Sequence, residues 1–428
     1  MSQNLSSNLF HKWRHLDPEL RSTLIEKFVD QIELNRAEFL AIQWAEMSKP
    51  PSLASGELNS AVKFGRFVAQ LLKEPQSYEV MSATPGKVMR VGRSPFGTLL
   101  AITSFNTPLP NYMWKVAPAL AAGNIVKLKP SPYSVESARL FVELWNLSNP
   151  GFESILELIV CSDDKVSEIL ESVDAVSFTG STKVGRLVMQ KAATKNLPVI
   201  AELGGSNPFV VMASANVTEA AKAAVISAFS NGGQRCAAGT RFYIHDHIYT
   251  DFISAFVKET KEWLKQPLDV SGFAPLCPAG RVENFSKEIE KISDSANKVW
   301  KFETPDWASS IDGSVAPIIV EFDSLPDPDL ELFAPVALVQ RIENIDEAIE
   351  NANSSVYGLT AAFWSTSKVE CATATEMLKA GLLNINGPTI GAEPTIPFGG
   401  FGASGNGTRE TGPDCISQYS ASRVVTWT

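Results

Sequence analysis

The sequence predicts an α/β protein in which parallel sheets are covered by helices. Three observations carry that reading. Short apolar, β-rich runs alternate with longer amphipathic stretches from about residue 97 to residue 203. The runs resemble strands buried on both faces. The chain has 428 residues, 44% hydrophobic and 20% charged, which is enough for two or more packed cores.

The first seventy-odd residues read as helical. LRSTLIEKFVDQIELNRAEFLAIQWAEM places apolar residues at three- and four-residue steps without an internal Gly or Pro. SKPPSLASG breaks this region and ELNSAVKFGRFVAQLLKEP resumes it. FGTLLAITSF then reads as a strand, NTPLPN as a turn, and YMWKVAPALAAG as a helix closed by Gly123. NIVKLKP is a strand stopped by Pro130, followed by SVESARLFVELWN (helix), SILELIVC (strand) and DDKVSEILES (helix). AVSFTG (strand), STKVGRLVMQKAA (helix) and PVIAEL (strand) complete the first series. A second begins with SANVTEAAKAAVISAFSN (helix), TRFYIHDHIY (strand) and TDFISAFVKETKEWLKQ (helix), and returns at TAAFWS and LLNIN. From Ser271 to about Gly313 the chain is polar and weakly periodic.

Composition narrows the function. The net charge of −10, with no long Lys/Arg cluster to offset it, makes nucleic acid and anionic membrane poor partners. No apolar run reaches the ~18 to 20 residues of a spanning helix, and the N-terminus lacks the apolar core of a signal peptide. The five cysteines, Cys161, Cys236, Cys277, Cys371 and Cys415, are odd in number and scattered, with no C-x-x-C pair. They fit a reducing cytoplasm and argue against a disulfide framework or a zinc site. His245 and His247 alternate along HDHIY, as on a solvated strand face, and no metal is expected.

Five features offer chemistry, each with a plain structural alternative. NGGQRC sets Cys236 among small residues, either as a buried hydrophobe or as a nucleophile that must approach a ligand. AELGG isolates Glu202 after an apolar run, where its pKa rises toward neutrality unless a lysine pairs with it. SFNTPLP puts Asn106 at a strand end, to donate to an oxyanion or to cap the turn. AVSFTGSTKVG delivers Gly180 and Ser181 to a helix start, where free N–H groups suit a phosphate or merely turn the chain. Lys127 and Lys129 share one face of NIVKLKP, as on a solvated edge, but Lys129 sits at its C-terminal end, where open α/β sheets bind ligands.

Together with RSPFGTLLAITSFNTPL, APALAAGNIVKLKPS, ELFAPV, NANSSVYGLTAAFW and PFGGFGASGNG, these motifs occur in the order found in one family. From about residue 8 to its end the chain resembles the NAD(P)-dependent aldehyde dehydrogenase superfamily. The resemblance implies a Rossmann-type cofactor domain (residues 1–77 and 98–203), an α/β catalytic domain (204–408) and small β oligomerisation strands (78–97 and 409–428). It implies that Cys236 is the catalytic thiol, Asn106 the oxyanion donor and Glu202 the base that readies water for a thioester. Lys129 would touch the adenosine ribose, Gly180 and Ser181 the pyrophosphate, and Glu331 the nicotinamide ribose. Thr179, Leu203, Phe105 and Phe333 would line the nicotinamide site. The small residues around Cys236 then read as clearance for an aldehyde and a nicotinamide ring. The substrate pocket would include Thr107, Asn111, Trp114, Arg235 and Ala237, with Arg235 either anchoring a carboxylate or pointing into structure. A semialdehyde or an aromatic aldehyde fits this set. The final strand is expected to extend a neighbour's sheet in a homodimer or homotetramer.

The chain departs from the family pattern in five places. Ser104-Phe105 replaces the usual Pro-Trp, Ala334 stands where Gly is usual, and the lysine common after Gly399-Gly400 is absent. Pro132 stands where NAD-preferring members often have a ribose-binding glutamate, which implies tolerance of NADP beside NAD. Some 40 residues that usually precede the first helices are missing, so a shortened N-terminus is expected. Rival readings are an acyl-CoA-forming or reductive acyl-transfer member, or an inactive structural or binding descendant.

Overall fold

The computed structural model describes residues 2–428. Five parallel strands form one sheet, in spatial order Leu156–Leu158, Ile125–Lys129, Thr98–Ile102, Ala175–Thr179 and Val199–Glu202. Numbered along the chain this is 3-2-1-4-5, so the order reverses between Thr98–Ile102 and Ala175–Thr179. Loops leaving the C-terminal ends of those two strands diverge and open a crevice. One of them carries Phe105 and Asn106, and the other carries Gly180 and Ser181.

Helices Pro18–Leu34, Arg36–Met47, Pro51–Leu71, Pro108–Ala121 and Val135–Ser148 pack with this sheet. Phe28 meets Phe141 and Trp145 edge-on, with ring centroids 4.8 and 5.4 Å apart, and Trp13 meets Trp145 at 5.8 Å. Each such ring removed from water stabilises the core by about 1.5–3 kcal/mol. The long N-terminal amphipathic stretch divides at Asn35, whose amide donates back to the Gln31 carbonyl at 2.8 Å. SKPPSLASG breaks the helix only as far as Pro50, because Pro51 opens the next one, at a position that has no use for an N–H. The same rule overturns the turn expected at NTPLPN: helix Pro108–Ala121 begins inside it. DDKVSEILES is short 3₁₀ turns around Val166–Ile169 and not one helix.

The second sheet has seven strands, ordered Lys298–Lys301, Ile318–Phe322, Val336–Ile342, Gly239–His245, Asn207–Val211, Thr360–Trp364 and Leu382–Ile385. Only its first pair is antiparallel. The polar stretch after Ser271 holds helix Arg281–Ser293 and strand Lys298–Lys301. TRFYIHDHIY is strand only to His245; Asp246–Ile248 is a 3₁₀ turn, with Asp246 accepting the His247 N–H at 2.7 Å. His245 therefore ends the strand and His247 stands in the turn that follows, so the two do not alternate along one strand face.

Strands Tyr78–Met81, Val88–Pro95 and Ser420–Trp427 make a third, antiparallel sheet. The last strand runs beside Val88–Pro95 of its own chain, from Ser420 opposite Pro95 to Trp427 opposite Val88. It completes its own subunit's sheet, and its outer edge has no partner among the described residues. Tyr78, Met81, Val424 and Trp427 are exposed there. The segment leading into it is not peripheral: Glu410, Cys415, Ile416 and Tyr419 are buried, the last three in the core of the five-stranded half. Among the described residues no helix is long and apolar enough to cross a membrane, and all five cysteines are free.

Candidate active site

A cavity of ≈ 400 Å³ lies at the C-terminal ends of the five-stranded sheet, against segments that lead into the seven-stranded one. It brings together Cys236, Glu202, Asn106, Thr179, Gly180, Ser181, Leu203, Glu331, Phe333 and Phe105, and also Thr107, Asn111, Trp114, Arg235 and Ala237. Of the residues singled out in the sequence, Lys129 stands apart. It ends its strand buried, with Nζ 2.7 Å from the exposed Asp163 carboxylate, and does not line this cavity.

Cys236 sits in a turn between the 3₁₀ segment Ser230–Gly233 and strand Gly239–His245. Asn231, Gly232 and Gly233 all have left-handed backbones, with φ of 59°, 64° and 66°. A Cβ on Gly233 would lie 2.1 Å from the Ala334 carbonyl oxygen, and one on Gly232 would lie 2.6 Å from that of Ala274. The glycines thus answer to this chain's own backbone and not to ligand clearance, which corrects the reading of NGGQRC. Gln234 fixes the turn: its amide donates to Asn231 and Pro275 carbonyls at 3.2 and 2.8 Å and accepts the Cys277 N–H at 2.8 Å. The Cys236 carbonyl accepts from Asn207 Nδ2 at 2.7 Å, which leaves the thiol directed by a braced backbone.

Asn106 is held on three sides. Its Nδ2 donates to the Gln234 carbonyl at 2.9 Å, and its carbonyl accepts from Lys49 Nζ at 2.6 Å and Asn231 Nδ2 at 3.1 Å. Ser104, from the divergent Ser-Phe pair, donates to Asn106 Oδ1 at 2.5 Å and so fixes the amide's orientation. An amide has two N–H bonds, so the second remains for an oxyanion.

Glu202 ends strand Val199–Glu202 only 3% exposed, and neither carboxylate oxygen has a hydrogen-bond partner. Burial raises its pKa well above the usual range; Glu410 adds to the rise, and Lys115 and Arg409 oppose it. PFGGFGASG forms its back wall: a Cβ on Gly399 would lie 2.5 Å from Glu202 Oε1, and Gly405 bridges to Glu202 through the backbone. Lys115 and Glu410, missed in the sequence, form a fully buried ion pair beside it, and Thr179 donates to the same carboxylate at 3.2 Å. The apolar helix around Lys115 was the available signal, since a lysine there has to find a carboxylate.

Burial, reinforced by Glu202, Glu331 and Glu410, pushes the Cys236 thiol up to about 12, while Arg235 pulls the other way. An ordinary thiol titrates near about 8.5. Iodoacetamide labelling of Cys236 in the cofactor-free protein is therefore expected to keep rising with pH where a free thiol has levelled off. A plateau at the ordinary value, read by peptide mass spectrometry, contradicts this environment.

On the other side of the thiol, Glu331 accepts the Gly205 N–H at 3.1 Å, and a Cβ on Gly204 would lie 2.2 Å from its other oxygen. Phe333 holds a left-handed φ of 50° and meets Phe105 edge-on at 6.2 Å. Arg281, also missed in the sequence, braces this loop by donating to the Leu332 and Phe333 carbonyls at 3.0 and 3.1 Å. Ser181 Oγ caps helix Thr182–Ala193 by accepting the Val184 N–H at 3.4 Å, and Ser181 itself lines the cavity.

Residues 4–425 match the aldehyde dehydrogenase family. The chain belongs to that family. A 2,5-dioxopentanoate dehydrogenase of Saccharolobus solfataricus is 31% identical over 97% of this chain and 88% of its own length. Human retinaldehyde dehydrogenase 3 is 30% identical, over 97% of this chain and 81% of that one. Among solved structures, a succinate-semialdehyde dehydrogenase from Burkholderia pseudomallei superposes with a TM-score of 0.89 at 26% identity, over 98% of this chain and 87% of that chain. An E. coli NADP-dependent enzyme reaches a TM-score of 0.92 at 26% identity, over 99% of this chain and 89% of that chain. This aldehyde dehydrogenase is thus an oxidoreductase that uses a nicotinamide cofactor.

Proposed function

We propose that this aldehyde dehydrogenase converts an aldehyde to its free carboxylic acid through a thioester on Cys236. The observation that carries the reading is one cavity holding a braced thiol, an amide with a spare N–H and a buried carboxylate with no partner. Cys236 first loses its Sγ proton to solvent; the thiolate attacks the aldehyde carbon, the C=O π pair moves to oxygen, and the new oxyanion is received by Asn106 Nδ2 and the Cys236 backbone N–H. A bound oxidised nicotinamide would supply the acceptor for the hydride lost by the carbon. Glu202 then takes a proton from the water that opens the thioester, and burial, by raising its pKa, makes its carboxylate a stronger base than an exposed one. The Lys115–Glu410 pair, touching Thr179 and flanking Glu202, keeps a second carboxylate close enough to sustain that rise.

The residues present fit the cofactor. Gly204 leaves beside Glu331 the space that a side chain would fill, so Glu331 can turn from Gly205 to a ribose. Gly180, Ser181 and the opening N–H groups of helix Thr182–Ala193 would hold the pyrophosphate. Thr179, Leu203, Phe105 and Phe333 would flank the ring, and Lys129 the adenosine ribose. Both NAD and NADP are accepted in this reading. Pro132 offers no carboxylate against a 2′-phosphate, and Asp163, 81% exposed, holds Lys129 only by a solvent-screened contact. Asp163→Asn is expected to improve NADP binding relative to NAD by about threefold to tenfold. Titration of cofactor binding with both nucleotides checks this, and an unchanged ratio contradicts it.

The substrate is a semialdehyde or an aromatic aldehyde. Trp114 packs on Phe398 with centroids 5.4 Å apart and supplies an apolar wall, while Asn111 and Thr107 supply polar groups. The names of the semialdehyde-oxidising relatives favour the first class. The exposed three-stranded sheet, with its open outer edge, supports a homodimer or homotetramer. Light scattering in solution is expected to give twice or four times the chain mass, and a monomer would exclude it. Five free cysteines fit a cytoplasmic, reducing setting.

A further inference from the structure

The Asn106 side chain ends a series of hydrogen bonds whose direction is fixed by its last acceptor. Asn106 Nδ2 donates to the Gln234 carbonyl at 2.9 Å. A carbonyl only accepts, so the other end of this amide, which faces Ser104, is the acceptor Oδ1. Ser104 Oγ lies 2.5 Å from Oδ1 and must be the donor, which commits its one hydrogen. Its oxygen in turn accepts from Asn111 Nδ2 at 3.2 Å. The same Nδ2 donates to Thr107 Oγ1 at 3.1 Å, one helical turn back from Asn111. Both N–H bonds of Asn111 are therefore used, and one of them holds the Ser104 oxygen so that its hydrogen points to Asn106.

The loop itself does not depend on Ser104. Its backbone is held at the Asn106 carbonyl by Lys49 Nζ and Asn231 Nδ2, at 2.6 and 3.1 Å. What Ser104 adds is confined to the amide, because among the described residues it alone bonds to Oδ1. The terminal torsion of an asparagine is broad, so a donor on Oδ1 narrows the swing of Nδ2 about the place where an oxyanion forms. Hydrogen bonds in series also polarise one another, which makes the remaining N–H of Asn106 a stronger donor. A proline at position 104 would have no hydrogen to give.

We infer that Ser104, with its hydroxyl aimed by Asn111, is a positioning residue that holds the Asn106 amide ready for the oxyanion. This rests on the reading of Asn106 as the oxyanion donor. Ser104 touches neither the reacting carbon nor the thiol in this role and acts only through Asn106.

Two reagents on the intact protein test this without knowledge of the natural aldehyde. With p-nitrophenyl acetate, the Cys236 thiolate bonds to the acyl carbon and the C=O π pair moves to oxygen. The pair then returns as p-nitrophenolate leaves, so this reaction passes through an oxyanion. Iodoacetamide alkylates the same sulfur by displacing iodide from a saturated carbon, and forms none. The ratio of the two rates, after subtraction of what Cys236→Ala releases, isolates the oxyanion step from any general change in the thiol or the fold. Ser104→Ala is expected to lower this ratio about threefold to tenfold. Asn106→Ala is expected to lower it about 10²-fold, and Ser104→Ala added to Asn106→Ala lowers it no further. Asn111→Ala gives a smaller fall, which disappears in the Ser104→Ala background. An unchanged ratio in Ser104→Ala, or the same fall with and without Asn106, overturns the positioning role while Asn106 keeps its own. A parent ratio in Asn106→Ala overturns the oxyanion reading and leaves Ser104 nothing to position.

Discussion

Cys236→Ala is expected to abolish aldehyde oxidation, with a fall in kcat of about 10⁵-fold or more. The other four thiols offer no replacement, because Cys161, Cys277, Cys371 and Cys415 lie outside the residues that line the cavity. The fold tolerates the change. The turn that carries residue 236 is fixed by backbone and by Gln234, Asn207 and Asn231, none of which bonds to the sulfur. Cofactor binding, measured by titration, should therefore survive while production of reduced nicotinamide is lost. Undiminished activity in this variant contradicts the assignment of the nucleophile.

Glu202→Gln is expected to separate the two halves of the reaction. The substitution keeps the volume of a side chain packed against Gly399 and Gly405 and removes only its capacity to take a proton. Formation of the thioester does not need that proton transfer, so a first burst of about one reduced cofactor per site remains. Hydrolysis does need it, and steady turnover falls by about 10²- to 10⁴-fold. Rapid-mixing absorbance reads both phases. Steady turnover at the parent rate would remove Glu202 from the reaction, and coenzyme A that restores the rate of the parent enzyme would point to acyl transfer instead of hydrolysis.

Much of the architecture could be read from short apolar runs. Strands ending at Ile102, Lys129, Thr179 and Glu202 were legible because each is buried on both faces and stopped by a turn signal. The functional residues at their ends were legible for the same reason, since strand ends carry sites. Strand Asn207–Val211 was not, because only Leu203, Gly204, Gly205 and Ser206 separate it from strand Val199–Glu202, and no intervening helix marks it as a strand of a different sheet. Nor were contacts between distant positions. Lys115 and Glu410 are 295 residues apart, and neither local sequence calls for the other. The glycines of NGGQRC needed the position of Ala334 before their purpose could be told from ligand clearance.

The Glu202→Gln protein, mixed with aldehyde and oxidised cofactor and examined by intact mass spectrometry, offers the most direct measurement of the whole scheme. An added acyl mass on the peptide that contains Cys236, appearing at the rate of the burst, is the expected result. A burst without the adduct, or an adduct on another residue, would contradict it.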